Sequence, residues 1–270
     1  MESRNPVFTR SQEFSRRGYA TFDTKTPTAD ELQGMYTAPS ATATQMGRMT
    51  IDDVIMRTAA MFVVLLATAA PTYFIWKPIT PLPVLGAALV GFVLAMVISF
   101  SRTIRPPLIL AYAAVQGVFV GGISYWFDSD PRFHGIVPQA VLGTLAAFAA
   151  MLVLYRTGVL KATPKFQRIL MIAIVGYLVF GLLNLVLAAF HIGGWVSVYS
   201  QGGLLPVAIS AFGVVLASLF LVLDFDFIDQ GVRNGLPTRF AWMAAFGLVV
   251  TLVWLYLEIL RLLAILRGNN

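Results

Sequence analysis

Two acidic side chains stand in apolar stretches of the sequence, where an ionised group is costly. Asp224 ends one stretch, within Leu-Asp-Phe-Asp, and Glu258 follows seven uncharged residues in another. A charged side chain at the centre of a bilayer costs at least about 2.5–3.5 kcal/mol on insertion scales. An acid retained in such a position calls for a partner or a function, so Asp224 and Glu258 are the candidate functional residues.

The chemistry available to these two acids depends on whether they meet. Two carboxyl groups in one poorly hydrated site cannot both ionise cheaply, so a meeting of Asp224 and Glu258 would make them share one proton. The protonated pair can tie two helices with a hydrogen bond, whereas the doubly deprotonated pair repels itself and attracts a cation. Carboxylate oxygens are hard ligands suited to Ca²⁺. The sequence therefore predicts a pH sensor, and a weak Ca²⁺ site, at Asp224 and Glu258.

Other charges near the two acids leave simpler interpretations open. Asp226 points about 200° away from Asp224 around a helix, so at most one of them faces the interior of a bundle. Asp224 is nearer to the apolar stretch, and Asp226 and Asp229 are expected at the membrane interface. Arg261 follows Glu258 by three residues, within reach of an ion pair on one helix. Glu258 and Arg261 could merely neutralise each other, and Asp224 could be an interfacial carboxylate without a function.

The elements that would position these acids are long apolar runs. A helix needs about 20 residues, at 1.5 Å each, to cross roughly 30 Å of hydrocarbon. The runs are continuous and do not alternate in polarity, which excludes the strands of a membrane barrel. We therefore predict an all-α membrane protein with seven spans. The predicted spans are Thr58–Trp76, Val84–Phe100, Leu108–Phe127, Ile136–Tyr155, Ile169–Phe190, Leu204–Leu223 and a last run within Phe240–Leu266.

Composition agrees with lipid as the main solvent. The 270 residues are 58% hydrophobic and 12% charged, against about 25% charged in a soluble domain. The net charge of +6 is spread between the apolar runs and forms no patch interleaved with aromatic residues, so nucleic acid is not an expected partner. The absence of cysteine excludes disulfides and thiol catalysis. No phosphate-binding loop, zinc-ligand spacing or Ser/His/Asp arrangement is present, so neither an enzyme nor a resident cofactor is expected.

The charge distribution also predicts domains and orientation. Residues 1–50 are rich in Ser, Thr, Pro and Ala and lack a run of signal-peptide length, so they are expected to form a disordered, uncleaved tail. Residues 51–267 form the predicted transmembrane domain. Basic residues concentrate in the tail and in the loops on its side of the membrane, whereas the opposite loops hold only Lys77 and Arg132. The tail is therefore expected in the cytoplasm, with the C-terminus outside.

The last run is long for one crossing, and we considered two arrangements for it. Gly247 offers a break, so Arg239–Phe246 is predicted to lie along the membrane surface before the true span begins. Glu258 would then fall about 17 Å into the bilayer, near its midplane. Alternatively, Arg261 and Arg267 at its far end would suit a re-entrant segment that returns the C-terminus to the cytoplasm.

Several uncharged residues suggest how the helices pack. Gly117-x-x-x-Gly121 in the third span would let another helix approach closely. Gln116, Gln139 and Asn184 lie within three different spans. Hydrogen bonds between helices are expected for them in preference to the lining of a pore.

At the acidic residues the chain resembles the Bax inhibitor-1 family, including its bacterial YccA-like members, over about residues 50–267. The motifs that carry the resemblance are Leu223-Asp224-Phe225, the segment Trp254-Leu-Tyr-Leu-Glu258-Ile-Leu-Arg261 and Arg105-Pro-Pro before the third span. The resemblance implies six helices around the seventh, and a pH-sensitive Ca²⁺ leak governed by two acids. Asp224 matches the first acidic position, and Glu258 the second, where several bacterial relatives have Asp.

The chain departs from this pattern in two places. Some relatives pair an acid early in the second span with an arginine at its end, and Arg102 could supply the arginine here, but residues 82–100 contain no acid. Relatives can also have Glu near the position of Gln116, which cannot ionise. Arg102 and Gln116 are therefore supporting candidates only.

Three classes of function follow from these observations. The first is a cation leak or channel in the cell membrane, expected to be the bacterial cytoplasmic membrane, with Ca²⁺ and H⁺ as its ions. The second is a non-conducting regulatory protein that binds a membrane protease or another integral partner. The third is an intramembrane aspartyl protease, which is disfavoured because that chemistry uses Asp in both positions, commonly with a Gly-x-Gly-Asp turn.

Overall fold

The computed structural model describes residues 28–30, 33, 46–76, 80, 82–190, 198–200 and 203–268. The chain divides into two units, Met1–Thr42 and Ala43–Asn270, and the helices belong to the second. Most of the predicted tail lies outside the described residues, so its predicted disorder stays a prediction.

Seven helices in the described part of the chain are long and apolar enough to cross a membrane, which confirms the predicted all-α fold with seven spans. The helices are α1 Ile51–Pro71, α2 Leu82–Phe100, α3 Pro106–Ser129, α4 Ile136–Arg156, α5 Pro164–Ala189, α6 Leu204–Arg233 and α7 Phe240–Gly268. A π-helical turn, Thr72–Trp76, extends α1. One end of the bundle holds Ile51, Arg156 and Arg233, and the other holds Ser129 and Gly268. We call them the Ile51 end and the Gly268 end.

The first helix begins seven residues before the predicted span. Its first turn is polar, but the polar groups there form hydrogen bonds and an ion pair with one another. The Thr50 hydroxyl accepts a hydrogen bond from the Asp53 backbone N–H, and the Asp53 side chain accepts one from the Thr50 backbone N–H. Arg57 then forms an ion pair with Asp53 at 3.0 Å. Its guanidinium also lies 5.7 Å from the centre of the Trp242 ring on α7. Asp53 and Arg57, which a hydropathy profile would leave outside the first span, therefore belong to its helix.

The last helix is the most buried of the seven, which fits its predicted central position. It packs against α1, α3, α4 and α6, whereas α2 packs mainly against α3, and α5 against α6. It is also continuous from Phe240 to Gly268, so the predicted surface segment Arg239–Phe246 and the break at Gly247 are wrong. At about 1.5 Å per residue, its 29 residues are long enough to cross a bilayer, which leaves no need for a re-entrant segment.

The glycine pair of the third span has the predicted packing role. A β-carbon at Gly117 would overlap the Thr68 hydroxyl and the Leu65 carbonyl oxygen of α1, and one at Gly121 would overlap the Ala69 carbonyl oxygen. The backbones of α1 and α3 can approach this closely only because both positions lack a side chain.

Replacing Gly117 with alanine should therefore destabilise the bundle by about 1–3 kcal/mol, the usual cost of forcing atoms into a packed interior. The measurement is the free energy of unfolding in mixed detergent micelles. Gly181→Ala on α5 is the matched control, because nothing lies within 4 Å of a β-carbon there. An equal loss of stability in the two variants would contradict the assigned role of Gly117.

Candidate functional site

Glu258 is the centre of a buried polar cluster towards the Gly268 end of the bundle. The residue is 2% exposed. Its carboxylate accepts hydrogen bonds from the Tyr177 hydroxyl of α5 at 2.9 Å and from the Trp254 indole N–H at 3.0 Å. Arg261 donates to both carboxylate oxygens, at 3.1 and 3.2 Å. Glu258 is therefore held by three neighbours and has a positive charge beside it.

Arg261 connects this carboxylate to the surface of the bundle. Its side chain is 35% exposed, against 3% for that of Glu258. The guanidinium lies 4.6 Å from the centre of the Tyr199 ring, in the short turn before α6, a distance typical of a cation–π contact. The ion pair at i and i+3 that the sequence left open is thus confirmed. The long arginine side chain lets a buried acid keep its countercharge near the edge of the bundle.

Gly213 of α6 makes room for the Glu258 carboxylate. A β-carbon at this position would lie 2.6 Å from Oε2 of Glu258 and 2.5 Å from the Tyr177 hydroxyl oxygen. Both distances are far below ordinary van der Waals contact. Gly213 therefore marks the level along α6 at which Glu258 packs.

Asp224 lies at a different level of the same helix pair, towards the Ile51 end. Its Oδ1 would be 3.6 Å from a β-carbon at Gly247 of α7, an ordinary van der Waals distance, so the carboxyl packs beside this glycine. The side chain of Thr251, one turn further along α7, interacts with it. Oδ2 is buried and accepts no hydrogen bond from a described residue. Asp224 is thus a half-buried acid whose second oxygen is buried and unsatisfied.

The structure does not bring Asp224 and Glu258 together, so the predicted shared proton and the predicted joint Ca²⁺ site are wrong. Gly247 marks the level of Asp224 on α7, and Glu258 follows it by eleven residues, which is about 16 Å along a helix. On α6 the spacing from Gly213 to Asp224 is again eleven residues. The two antiparallel helices agree, and the carboxyls lie in different halves of the bundle. Within the described ranges, no group of three or more His, Asp or Glu side chains could hold a metal ion.

An apolar layer separates the two acids. Ala217 and Leu221 of α6 and Leu255 of α7 lie between the two levels and are each 0% exposed. They belong to one hydrophobic cluster, which Leu252 of α7 also joins. The interface of α6 and α7 thus contains two polar sites at different levels, one at Asp224 and one at Glu258. A layer of buried apolar side chains separates them.

Apart from Arg261, the supporting candidates make their described contacts away from the two acidic sites. Asp226 accepts a hydrogen bond from the Gln230 side chain at 2.6 Å, and Asp229 pairs with Arg233 at 2.7 Å. Both acids are on the continuous helix α6, near its end. Arg102 is exposed in the turn after α2 and forms no ion pair with a described residue.

The uncharged polar residues are used for packing. The Gln116 side chain of α3 lies against α2, where its Oε1 would be 2.9 Å from a β-carbon at Gly91. Gln139 of α4 accepts a hydrogen bond from Arg267 of α7 at 3.1 Å, which is an interhelical bond of the predicted kind. Asn184 of α5 accepts one from the backbone N–H of Val198. None of these groups adds a charge to either acidic site.

Sequence reasoning missed most of the residues that surround the two acids. Trp254 shares a face of α7 with Glu258 and Arg261, and its spacing of four residues could have indicated the contact. Tyr177, Tyr199 and Gly213 come from other parts of the chain, and no local pattern identifies them.

Seven long apolar helices, with an acid buried on the central one, define a polytopic membrane protein. A family model for Bax inhibitor 1 like proteins matches residues 5–268, and the chain belongs to this family. No curated protein matches the chain.

Proposed function

We propose that this membrane protein mediates a pH-sensitive leak of cations along the interface of α6 and α7, with Ca²⁺ as the expected ion. The observation that carries the proposal is the buried and unpartnered Oδ2 of Asp224. An ionisable residue within a membrane span is by default a candidate for an ion or proton pathway. Membership of the Bax inhibitor 1 like family supports this choice over other membrane functions.

The proton would act on Asp224 alone, because no second acid lies beside it in the described structure. A protonated carboxyl is neutral and can donate a hydrogen bond to the Thr251 hydroxyl, which would tie α6 to α7. A deprotonated carboxylate can still accept a hydrogen bond from that hydroxyl, but it also presents a negative charge that attracts a cation. We therefore expect the leak to increase as the pH rises.

The apolar layer would close the pathway. Constrictions formed by apolar side chains block ions because the narrow space loses its water. Ala217, Leu221 and Leu255 have this position between the two acidic sites. Glu258, which already has a countercharge in Arg261, would line the pathway as part of an ion pair.

Calcium entry into liposomes that contain the purified chain and a Ca²⁺-sensitive dye would test the proposal. We expect entry faster than into protein-free liposomes, and faster at mildly alkaline than at mildly acidic pH. Entry indistinguishable from protein-free liposomes at every pH would exclude the leak. It would leave regulatory binding to another integral protein as the function to pursue.

A further inference from the structure

A long groove separates α1 from α4 on one side of the bundle. It encloses a cavity of about 1660 Å³ whose floor is formed by α3, α6 and α7. Its walls extend along nearly the full length of both helices, from Ile51 to Phe74 on α1 and from Val137 to Arg156 on α4. At about 1.5 Å per residue the groove is close to the roughly 30 Å thickness of the hydrocarbon layer.

The middle of the groove is apolar. Its lining there includes Phe62 and Leu66 of α1, Leu145 and Phe148 of α4, and Leu252 of the central helix. Water in such a space would lack hydrogen-bond partners, and in a bilayer a groove open at its side is accessible to acyl chains. Hydrocarbon is therefore the expected filling of the middle of the groove.

The two ends of the groove differ in charge. At the Gly268 end the polar groups that line the groove are hydroxyls that are already satisfied. The hydroxyls of Ser124 and Tyr256 lie 2.7 Å apart, and that of Tyr73 donates at 2.7 Å to Asp128, which does not line the groove. At the Ile51 end the acids are also engaged, Asp229 with Arg233 and Asp226 with Gln230.

The lining of the Ile51 end has a net positive charge. Asp226 stays negative beside the neutral Gln230, but three basic residues outnumber the two acids there. Arg156 and Lys161 line the groove, are exposed, and form no ion pair with a described residue. An apolar groove with two free cations at one end matches the chemistry of a lipid with an anionic headgroup, since basic pockets between membrane helices bind such headgroups.

We propose that this groove binds an anionic phospholipid from the leaflet at the Ile51 end. The acyl chains lie between α1 and α4, and the phosphate lies at Arg156 and Lys161. The floor of the groove includes Leu252, which also belongs to the apolar cluster between α6 and α7, but the headgroup contact lies at Arg156 and Lys161 and does not depend on the proposed leak.

Native mass spectrometry of the full chain in detergent, with phosphatidylglycerol or phosphatidylcholine added, tests the headgroup contact. We expect wild-type protein to retain phosphatidylglycerol preferentially. The double variant Arg156→Gln/Lys161→Gln should lower its apparent affinity by roughly 25-fold, since each basic residue at a membrane surface contributes about fivefold. The matched control is Lys165→Gln/Arg168→Gln, because these cations are exposed on the same side of the bundle but do not line the groove.

A second pair of variants tests the position of the chains. Leu145 lines the groove, whereas Leu142, one turn earlier on α4, is exposed elsewhere. Leu145→Trp should fill the groove and displace the lipid, and Leu142→Trp should bind it as the wild type does. Equal binding by the two tryptophan variants, or equal loss in the two charge variants, would overturn the proposal. Displacement of the lipid by inorganic phosphate alone would also overturn it, because the site would then be a phosphate site.

Discussion

Replacing Arg261 with methionine is expected to lower the free energy of unfolding of the bundle by about 3–5 kcal/mol, the usual cost of leaving one member of a buried ion pair without its partner. Methionine keeps much of the length of the side chain but removes its charge and its hydrogen-bond donors. Glu258, which is 2% exposed, would keep only Tyr177 and Trp254 as donors. Unfolding in mixed detergent micelles, followed by tryptophan fluorescence, measures the loss.

Two further variants show whether burial causes this loss. Arg233 forms an ion pair with Asp229, but the two side chains are 76% and 33% exposed, so Arg233→Met should cost less than about 1 kcal/mol. Glu258→Gln combined with Arg261→Met removes both charges and should recover most of the stability. A similar cost for Arg261→Met and Arg233→Met, or no recovery in the double variant, would refute the account of the cluster.

The number and type of the spans could be predicted because each apolar run is about as long as the hydrocarbon layer is thick. Their ends could not be predicted from hydropathy, which assigns charges to loops. At the start of α1, Asp53 and Arg57 satisfy each other within the helix. At the end of α6, Asp229 and Arg233 do the same, and the helix continues ten residues beyond Leu223.

The separation of the two acids was mispredicted because it depends on where α7 begins. A surface segment ending at Gly247 would have placed Glu258 near the midplane. With the helix continuous from Phe240, Glu258 lies 18 residues, or about 27 Å, from the Ile51 end. Asp224 lies only nine residues, or about 14 Å, before the end of α6. The glycine that suggested a break instead lies within the continuous helix, beside the Asp224 carboxyl.

Contacts within one helix could be predicted, and contacts between helices could not. The Glu258–Arg261 pair follows from a spacing of three residues. The approach of Gly213 to Glu258, or of Gly247 to Asp224, depends on the register between α6 and α7. A single sequence does not contain that register.

Replacing Asp224 with asparagine should abolish most of the pH dependence of the leak. Asparagine has nearly the same shape but cannot ionise, so the charge at this position would no longer change with pH. Asp226→Asn is the matched control, because Asp226 is on the same helix and bonds to Gln230 at the surface. Glu258→Gln should also retain the pH response, since the account assigns the response to Asp224 alone.

The most direct test of whether Asp224 confers the pH response is the rate of Ca²⁺ entry into liposomes as a function of pH. It is measured side by side for wild type, Asp224→Asn and Asp226→Asn. We expect a rate that rises with pH for the wild type and for Asp226→Asn, and a nearly constant rate for Asp224→Asn. An unaltered pH response in the Asp224→Asn protein would contradict this role of Asp224.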